Sequence, residues 1–185
     1  MMSIFEKLHE VIGNTHIEAS NVNAVILKDD DPQSTCKNTI LRGNGKLLVC
    51  KFDQKGFVPF PFLKQESGIQ EMCDYLVFFQ PNQVKSKLYI FICELQSNSK
   101  KQHKAESQLR AGYNMAYFLV ESAIRLLDYK TDESLIFKGV RFSTRNPKKY
   151  LNSAMIKDGS KELNDKKITY RELLCGDEYY YDELI

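Results

Sequence analysis

Two acidic residues, Asp74 and Glu94, occur where neighbouring strands would bring their carboxylates together. Residues 73–79 and 88–95 are rich in aromatic and branched side chains, which is typical of central β-strands. Because side chains alternate between the faces of a strand, Glu94 shares its face with the apolar residues two, four and six positions before it. A carboxylate on an apolar face needs a cation or hydrogen bonds in place of water, so its position indicates a site.

The acidic pair predicts a site for a hard divalent cation. If the two strands are neighbours, Asp74 lies beside Glu94 at one end of the sheet, where the two negative charges repel each other. Mg²⁺ or Mn²⁺ would remove this repulsion, accept the carboxylate oxygens and retain waters, one of which can become a nucleophile. The alternative is a pair of strand-end residues that face solvent or an arginine.

The sequence around this pair resembles the PD-(D/E)xK nuclease superfamily. The residues that carry the resemblance are, in order, Cys73, Asp74, Glu94, Leu95, Gln96 and Gln108. It covers residues 73–120 and implies a restriction-endonuclease-like core with the order helix, β-meander, long helix and strand. It also implies that the acidic pair binds Mg²⁺ or Mn²⁺, that Gln96 orients a water, and that Gln108 gives polar support from the next helix.

The sequence departs from the family pattern at two positions. Cys73 stands where the name-giving proline would be, and Gln96 stands in place of the usual lysine and carries no positive charge. Lys101 or Lys104 is predicted to replace that charge, because these residues precede Gln108 by seven and four positions and so share its helix face. For the additional acid that the family carries near its first helix, we favour Glu18. Glu6 and Glu10 are the other choices there.

The function predicted from this resemblance is Mg²⁺-dependent hydrolysis of phosphodiester bonds in DNA or RNA. The alternative is a catalytically inactive domain of the same fold that binds nucleic acid or a protein partner, for example in a defence or mobile-element system. A purely structural interaction protein is a third reading. Five basic residues are predicted to contact nucleic acid, although the lysines among them also fit a solvated first helical turn: Lys100, Lys101, Lys104, Arg141 and Arg145.

Hydrophobic and turn patterns predict an α/β fold with a central mixed β-sheet flanked by helices. Ser3 and Glu6 form a capping-box pattern for a first helix that ends at Gly13. Further elements are predicted as a β-hairpin of residues 39–42 and 46–52 around a glycine turn, a helix over 100–127, and strands over 136–143 and 168–174. Residues 147–167 are predicted to be a polar excursion.

Length and composition fit one domain over residues 1–185, since 43% of residues are hydrophobic and 27% are charged, and the resemblance implies that this domain is nuclease-like. The net charge of +2 is too small to indicate nucleic-acid binding by itself. No apolar run approaches the roughly 20 residues of a membrane span, so the sequence predicts a cytoplasmic protein with no membrane partner. The five cysteines form no CxxC pair and are expected to be reduced core residues.

The C-terminal tail, residues 176–185, combines four acidic residues with three consecutive tyrosines. We expect it to dock over the basic residues 100–104 or onto a protein partner, including a second copy of the chain. In the first case its removal would raise nucleic-acid affinity. A frayed terminus is the alternative.

Overall fold

The computed structural model has an α/β fold in which a seven-stranded mixed sheet carries helices on one face and a small second sheet on the other. It describes residues 3–20, 22–54, 56–58, 60–61, 64, 71–96, 102–126, 132–144, 161–163 and 168–185. The helices are α1 (Ile4–Val11), α2 (Gln102–Leu126) and α3 (Tyr181–Leu184). The strands are β1 (Ile17–Ser20), β2 (Ala24–Lys28), β3 (Asn38–Arg42), β4 (Gly45–Lys51), β5 (Tyr75–Pro81), β6 (Lys87–Gln96), β7 (Ser134–Ser143), β8 (Lys161–Leu163), β9 (Ile168–Leu174) and β10 (Glu178–Tyr180).

The large sheet has the strand order β1-β4-β5-β6-β7-β9-β8. Strands β4, β5 and β6 form an antiparallel meander, whereas β7 runs parallel to β6 and β9 parallel to β7. Parallel neighbours need a crossover connection, and α2 lies in the chain between β6 and β7. The mixed sheet flanked by helices is therefore confirmed, as are two central strands near residues 73–79 and 88–95.

Helices α1 and α2 pack together on one face of the large sheet. Ser3 caps α1, and the reciprocal hydrogen bonds of a capping box with Glu6 are both present, as predicted. Helix α2 approaches the sheet closely at Gly112, where an added Cβ would lie 2.4 Å from the Sγ atom of Cys73. This contact brings the N-terminal half of α2 against the start of β5, where Asp74 lies.

The opposite face of the large sheet is covered by a small sheet of order β10-β3-β2 and by α3. The predicted hairpin is wrong, because β3 belongs to this small sheet and β4 to the large one. The glycines between them have no room for a side chain: an added Cβ would lie 2.5 Å from Tyr181 Cδ2 at Gly43 and 2.4 Å from the Gln80 carbonyl oxygen at Gly45. The chain crosses closely from one sheet to the other instead of turning back.

The C-terminal tail is part of this second layer. Strand β10 pairs in parallel with β3, and Tyr181 and Leu184 of α3 are buried against the large sheet. This face is opposite to the one that carries α2, so docking over the basic start of α2 is wrong, and so is a frayed terminus. The tail is a structural element, and Tyr181 packs in the core.

Cys36 and Cys175 form a disulfide with a Cα–Cα distance of 5.4 Å. The expectation of five reduced cysteines is wrong for this pair, because residues separated by 139 positions meet where the small sheet joins the end of β9. The other three cysteines, Cys50, Cys73 and Cys93, are buried free thiols as expected. Helices long and apolar enough to cross a membrane do not occur among the described residues.

Replacing both bridged cysteines by serine is expected to lower the free energy of unfolding by about 3 kcal/mol, because the bridge restricts the unfolded chain over a long loop. Urea unfolding of the double variant against the oxidised wild type measures this. Thiol titration of the denatured, unreduced protein should find three free thiols, the number of free cysteines that the structure describes. Five titratable thiols before reduction, together with equal stability of the variant, would contradict the bridge.

Candidate functional site

The register of β5 and β6 places Asp74 and Glu94 side by side. Tyr75 pairs with Cys93 in this antiparallel ladder, so the residue before Tyr75 lies opposite the residue after Cys93. The Asp74 Oδ2 atom accepts a hydrogen bond of 2.6 Å from the backbone N–H of Leu95. In return, the backbone N–H of Asp74 donates to the Glu94 carboxylate. The two strands therefore hold the two carboxylates by reciprocal hydrogen bonds.

Glu94 is buried, and one of its oxygens has no hydrogen-bond partner in the part of the chain that the structure describes. Its side chain lies on the face of β6 that carries α1 and α2, with the residue only 4% exposed. Among the described residues, no group donates a hydrogen bond to Glu94 Oε2. A buried carboxylate oxygen without a donor costs free energy, so the site is built for something besides these side chains.

Burial raises the pKa of both carboxyl groups. The pKa of Asp74 is raised to about 7, and its hydrogen bond from Leu95 only partly offsets the effect of burial. The pKa of Glu94 is raised well above its ordinary value, first by burial and then by the negative charge of Asp74. Near neutral pH the metal-free pair therefore retains a proton, and a bound cation would displace it.

The metal-free protein should lose stability as pH rises. The pKa of Asp74 is about 7 in the folded state against an ordinary value of 3.8, so the folded state binds more protons between these values. The free energy of unfolding therefore falls as pH rises through this window, and Glu94 contributes with the same sign. Between pH 5 and pH 8 we expect a loss of about 3 kcal/mol from Asp74 alone, to which Glu94 adds.

Urea unfolding in EDTA at the two pH values measures this loss, and the double variant Asp74→Asn, Glu94→Gln is the control for every other titrating group. The wild type should lose at least about 3 kcal/mol more than the double variant. Equal pH dependence of the two proteins would show that the carboxylates are not destabilised in the folded state.

A third carboxylate, Asp53, lies two residues after β4. The sequence patterns did not indicate it as a site residue. Its charge raises the pKa of both Asp74 and Glu94, which places it near the pair. The missed signal is topological: β4 is antiparallel to β5, so its C-terminal end lies beside the start of β5. Within the described residues, no three His, Cys, Asp or Glu side chains are grouped closely enough to hold a metal ion by themselves.

The two glutamines lie close to the pair in different ways. Gln96 is buried at the end of β6, two residues beyond Glu94, so both side chains leave the strand on the same face. Gln108 on α2 is also buried, and its Nε2 atom donates a hydrogen bond of 3.1 Å to the carbonyl of Met72. Gln108 thereby fixes the segment that leads into Asp74.

Among the predicted lysines, the structure describes Lys104. It lies exposed in the first turns of α2, with its Nζ atom 3.6 Å from Glu71 Oε1. Its positive charge lowers the pKa of Glu94 against the effect of burial, so its field reaches the site. Lys100, Lys101 and Arg145 lie outside the described residues.

Glu18 is not brought to the pair. It is exposed on the edge strand β1, and β4 separates that strand from β5. Burial raises the pKa of Tyr75, whose ring packs in the core on the opposite face of the sheet, and the charge of Glu18 adds a smaller effect. The other two choices are engaged in surface pairs, Glu6 with Lys46 and Glu10 with Lys7.

Arg141 lies inside the protein and not on an open surface, and its contact with nucleic acid stays a prediction. It is 4% exposed, and its Nη1 atom forms an ion pair of 2.9 Å with Glu172 Oε1 on β9. The basic cluster of the sequence did not reveal this burial, because it follows from the pairing of β7 with β6 and β9.

Comparison with protein-family models, with curated proteins and with solved structures finds no match to this chain. The geometry of the site is therefore the basis for assigning a function. Its features are a buried and a partly buried carboxylate on adjacent strands, a carboxylate oxygen without a donor among the described residues, a nearby third acid and the positive charge of Lys104 on α2.

Proposed function

We propose that this protein is a Mg²⁺- or Mn²⁺-dependent phosphodiesterase that hydrolyses DNA or RNA, with Asp74 and Glu94 as metal ligands. The observation that carries the proposal is the buried Glu94 Oε2 atom, which has no hydrogen-bond donor among the described residues, on a residue that lies opposite the partly buried Asp74. A divalent cation supplies what such an oxygen lacks and removes the repulsion between the two charges.

The donor set fits a hard cation that keeps part of its water shell. Both ligands are carboxylates, and the three cysteines that remain free are buried thiols with no part in this oxygen site. Mg²⁺ is commonly held by one or two protein carboxylates, with waters and substrate phosphates in its other positions. When bound, the metal would stabilise negative charge on the phosphoryl oxygens and lower the pKa of a water nucleophile.

The order of elements supports the proposal as well. Helix α1, the meander β4–β6, the crossover helix α2 and strand β7 follow the order expected of a restriction-endonuclease-like core. The acidic pair sits at the start of the second meander strand and near the end of the third. Fold alone does not assign an activity, so this agreement supports the proposal only together with the site.

The other residues have supporting roles in this account. Gln96 orients the attacking water, since its amide can both donate and accept hydrogen bonds. Gln108 keeps the segment before Asp74 in place through the Met72 carbonyl. Lys104, exposed in the first turns of α2, draws the phosphate backbone toward the site. In the reaction, the water oxygen bonds to phosphorus and the bond from phosphorus to the leaving sugar oxygen breaks.

Cleavage assays on plasmid DNA and on a structured RNA test the proposal directly. We expect cleavage of at least one substrate with Mg²⁺ or Mn²⁺ and none in excess EDTA. Cleavage that persists in EDTA, or the absence of Mn²⁺ binding to the wild type by calorimetry, would overturn the proposal.

One observation favours a second function, a non-catalytic domain that binds nucleic acid or a protein partner. Gln96 cannot supply the charge that a lysine would give at the end of β6. In that case nucleic acid would bind without being cut, and Asp74→Asn would bind it as tightly as the wild type. Under the first proposal, the same variant loses cleavage.

A further inference from the structure

Two oppositely charged side chains on adjacent strands each have a buried atom that forms no hydrogen bond within the described part of the chain. Glu94 on β6 pairs in register with Arg141 on β7. The residues that flank them, Cys93, Leu95, Val140 and Phe142, all pack in the core on the opposite face. Glu94 and Arg141 therefore leave the sheet on the same face, on strands about 4.8 Å apart. Glu94 Oε2 and Arg141 Nε both lack hydrogen-bond partners among the described residues.

We propose that Arg141 is the anion-binding half of the site, and that its Nε–H group binds a phosphate oxygen while Asp74 and Glu94 hold the cation. This inference rests on the proposed phosphodiesterase function, which it deepens. A metal-bound phosphodiester brings a cation and an anionic oxygen together. The cation would bind Glu94 Oε2, and the anionic oxygen would accept a hydrogen bond from Arg141 Nε.

Glu172 prepares Arg141 for this role. The guanidinium group presents its donors in a fixed planar fork, so the 2.9 Å ion pair at Nη1 also fixes the direction of Nε–H. Glu172 is itself only partly buried, which means that the pair holds the arginine from its solvent side. The Nη1 donor binds Glu172 and positions the side chain, and the Nε–H donor can bind a ligand.

The in-register row of Asp74, Glu94, Arg141 and Glu172 runs across β5, β6, β7 and β9. The positive charge of this row belongs to Arg141 on β7. Gln96, which stands where a lysine is usual in the nuclease superfamily, lies on the neighbouring strand β6. Arg141 thereby supplies the charge that Gln96 lacks. Because Glu94 and Arg141 are shielded from water, their electrostatic interactions are stronger than those of an exposed lysine.

Inorganic phosphate and Mg²⁺ are the probes for the test, with both affinities measured by calorimetry. We expect the wild type to bind Mg²⁺, and to bind phosphate once Mg²⁺ is present. Arg141→Gln should weaken phosphate binding about 10- to 100-fold, the range for a lost hydrogen bond to a charged group. Its Mg²⁺ affinity should stay within about threefold of the wild type or rise, because the removed group is a cation.

Two further variants make the result specific. Arg110→Gln removes an exposed arginine from α2 and should leave both affinities unchanged. Arg141→Lys keeps the positive charge and should recover part of the phosphate affinity, which also covers the case in which Arg141→Gln fails to fold. Phosphate binding by the folded Arg141 variants equal to that of the wild type would overturn this inference alone. A wild type that binds no Mg²⁺ would overturn the proposed function.

Discussion

Asp74→Asn and Glu94→Gln are each expected to reduce metal-dependent cleavage by about 10³-fold or more, because either change removes a carboxylate that holds the cation. Loss of the several kcal/mol that a metal contributes to the transition state corresponds to a factor of this size. The amide oxygen of Asn can still accept the hydrogen bond from the Leu95 N–H, so the strand pairing should persist. Initial rates on the best substrate in Mg²⁺ measure the effect.

The same variants are expected to be as stable as the wild type, or more stable, in EDTA above pH 7. Each replaces a buried carboxyl group by a neutral isostere and so relieves the repulsion within the pair. Glu121→Gln is the matched control, because Glu121 pairs with Arg125 on α2. This variant should keep full activity. Undiminished cleavage in either site variant would contradict a role of the pair in the mechanism. So would a variant that loses cleavage only because it no longer folds.

Removal of residues 176–185 is expected to lower the free energy of unfolding by more than about 5 kcal/mol, because the tail contributes core side chains. Tyr181 is 0% exposed, and its ring lies 4.4 Å from that of Phe79 and 5.4 Å from that of Phe91, measured between centroids. Leu184 is buried on the same face. Because folded domains are stable by roughly 5 to 15 kcal/mol, this truncation is expected to unfold much of the protein.

A pair of adjacent tyrosines gives the matched test. Tyr181→Ala should cost about 3 to 5 kcal/mol, whereas Tyr180→Ala should cost less than about 0.5 kcal/mol, because Tyr180 is 53% exposed. Urea unfolding of the three proteins measures both values. Similar stability of the two variants, or a truncated protein as stable as the full chain, would show that the tail does not belong to the core.

The parts of the fold that follow from local pattern were predicted from sequence. Strands β5 and β6 show continuous apolar and aromatic runs, and α1 begins at a capping box. Helix α2 carries an apolar stripe at helical spacing that faces the sheet. The adjacency of Asp74 and Glu94 followed from the same pattern, since antiparallel strands of this length meet at a definite register.

The remaining features depend on contacts between distant segments, which local pattern does not specify. A glycine turn between β3 and β4 predicts a hairpin, but the side chains of Tyr181 and Phe79 decide that the chain crosses between sheets. The disulfide joins residues 139 positions apart. Arg141 looked like part of a basic surface, and only the pairing of β7 with β6 and β9 shows it to be buried beside Glu94.

Anomalous diffraction from crystals soaked in Mn²⁺ tests the central claim most directly. We predict a peak between Asp74 and Glu94, about 2.2 Å from an oxygen of each carboxylate, with Glu94 Oε2 among the ligands. The peak should vanish in crystals of Glu94→Gln soaked in the same way. Absence of a peak from wild-type crystals, with Glu94 Oε2 bonded to a protein donor instead, would contradict the assignment of this pair as a metal site.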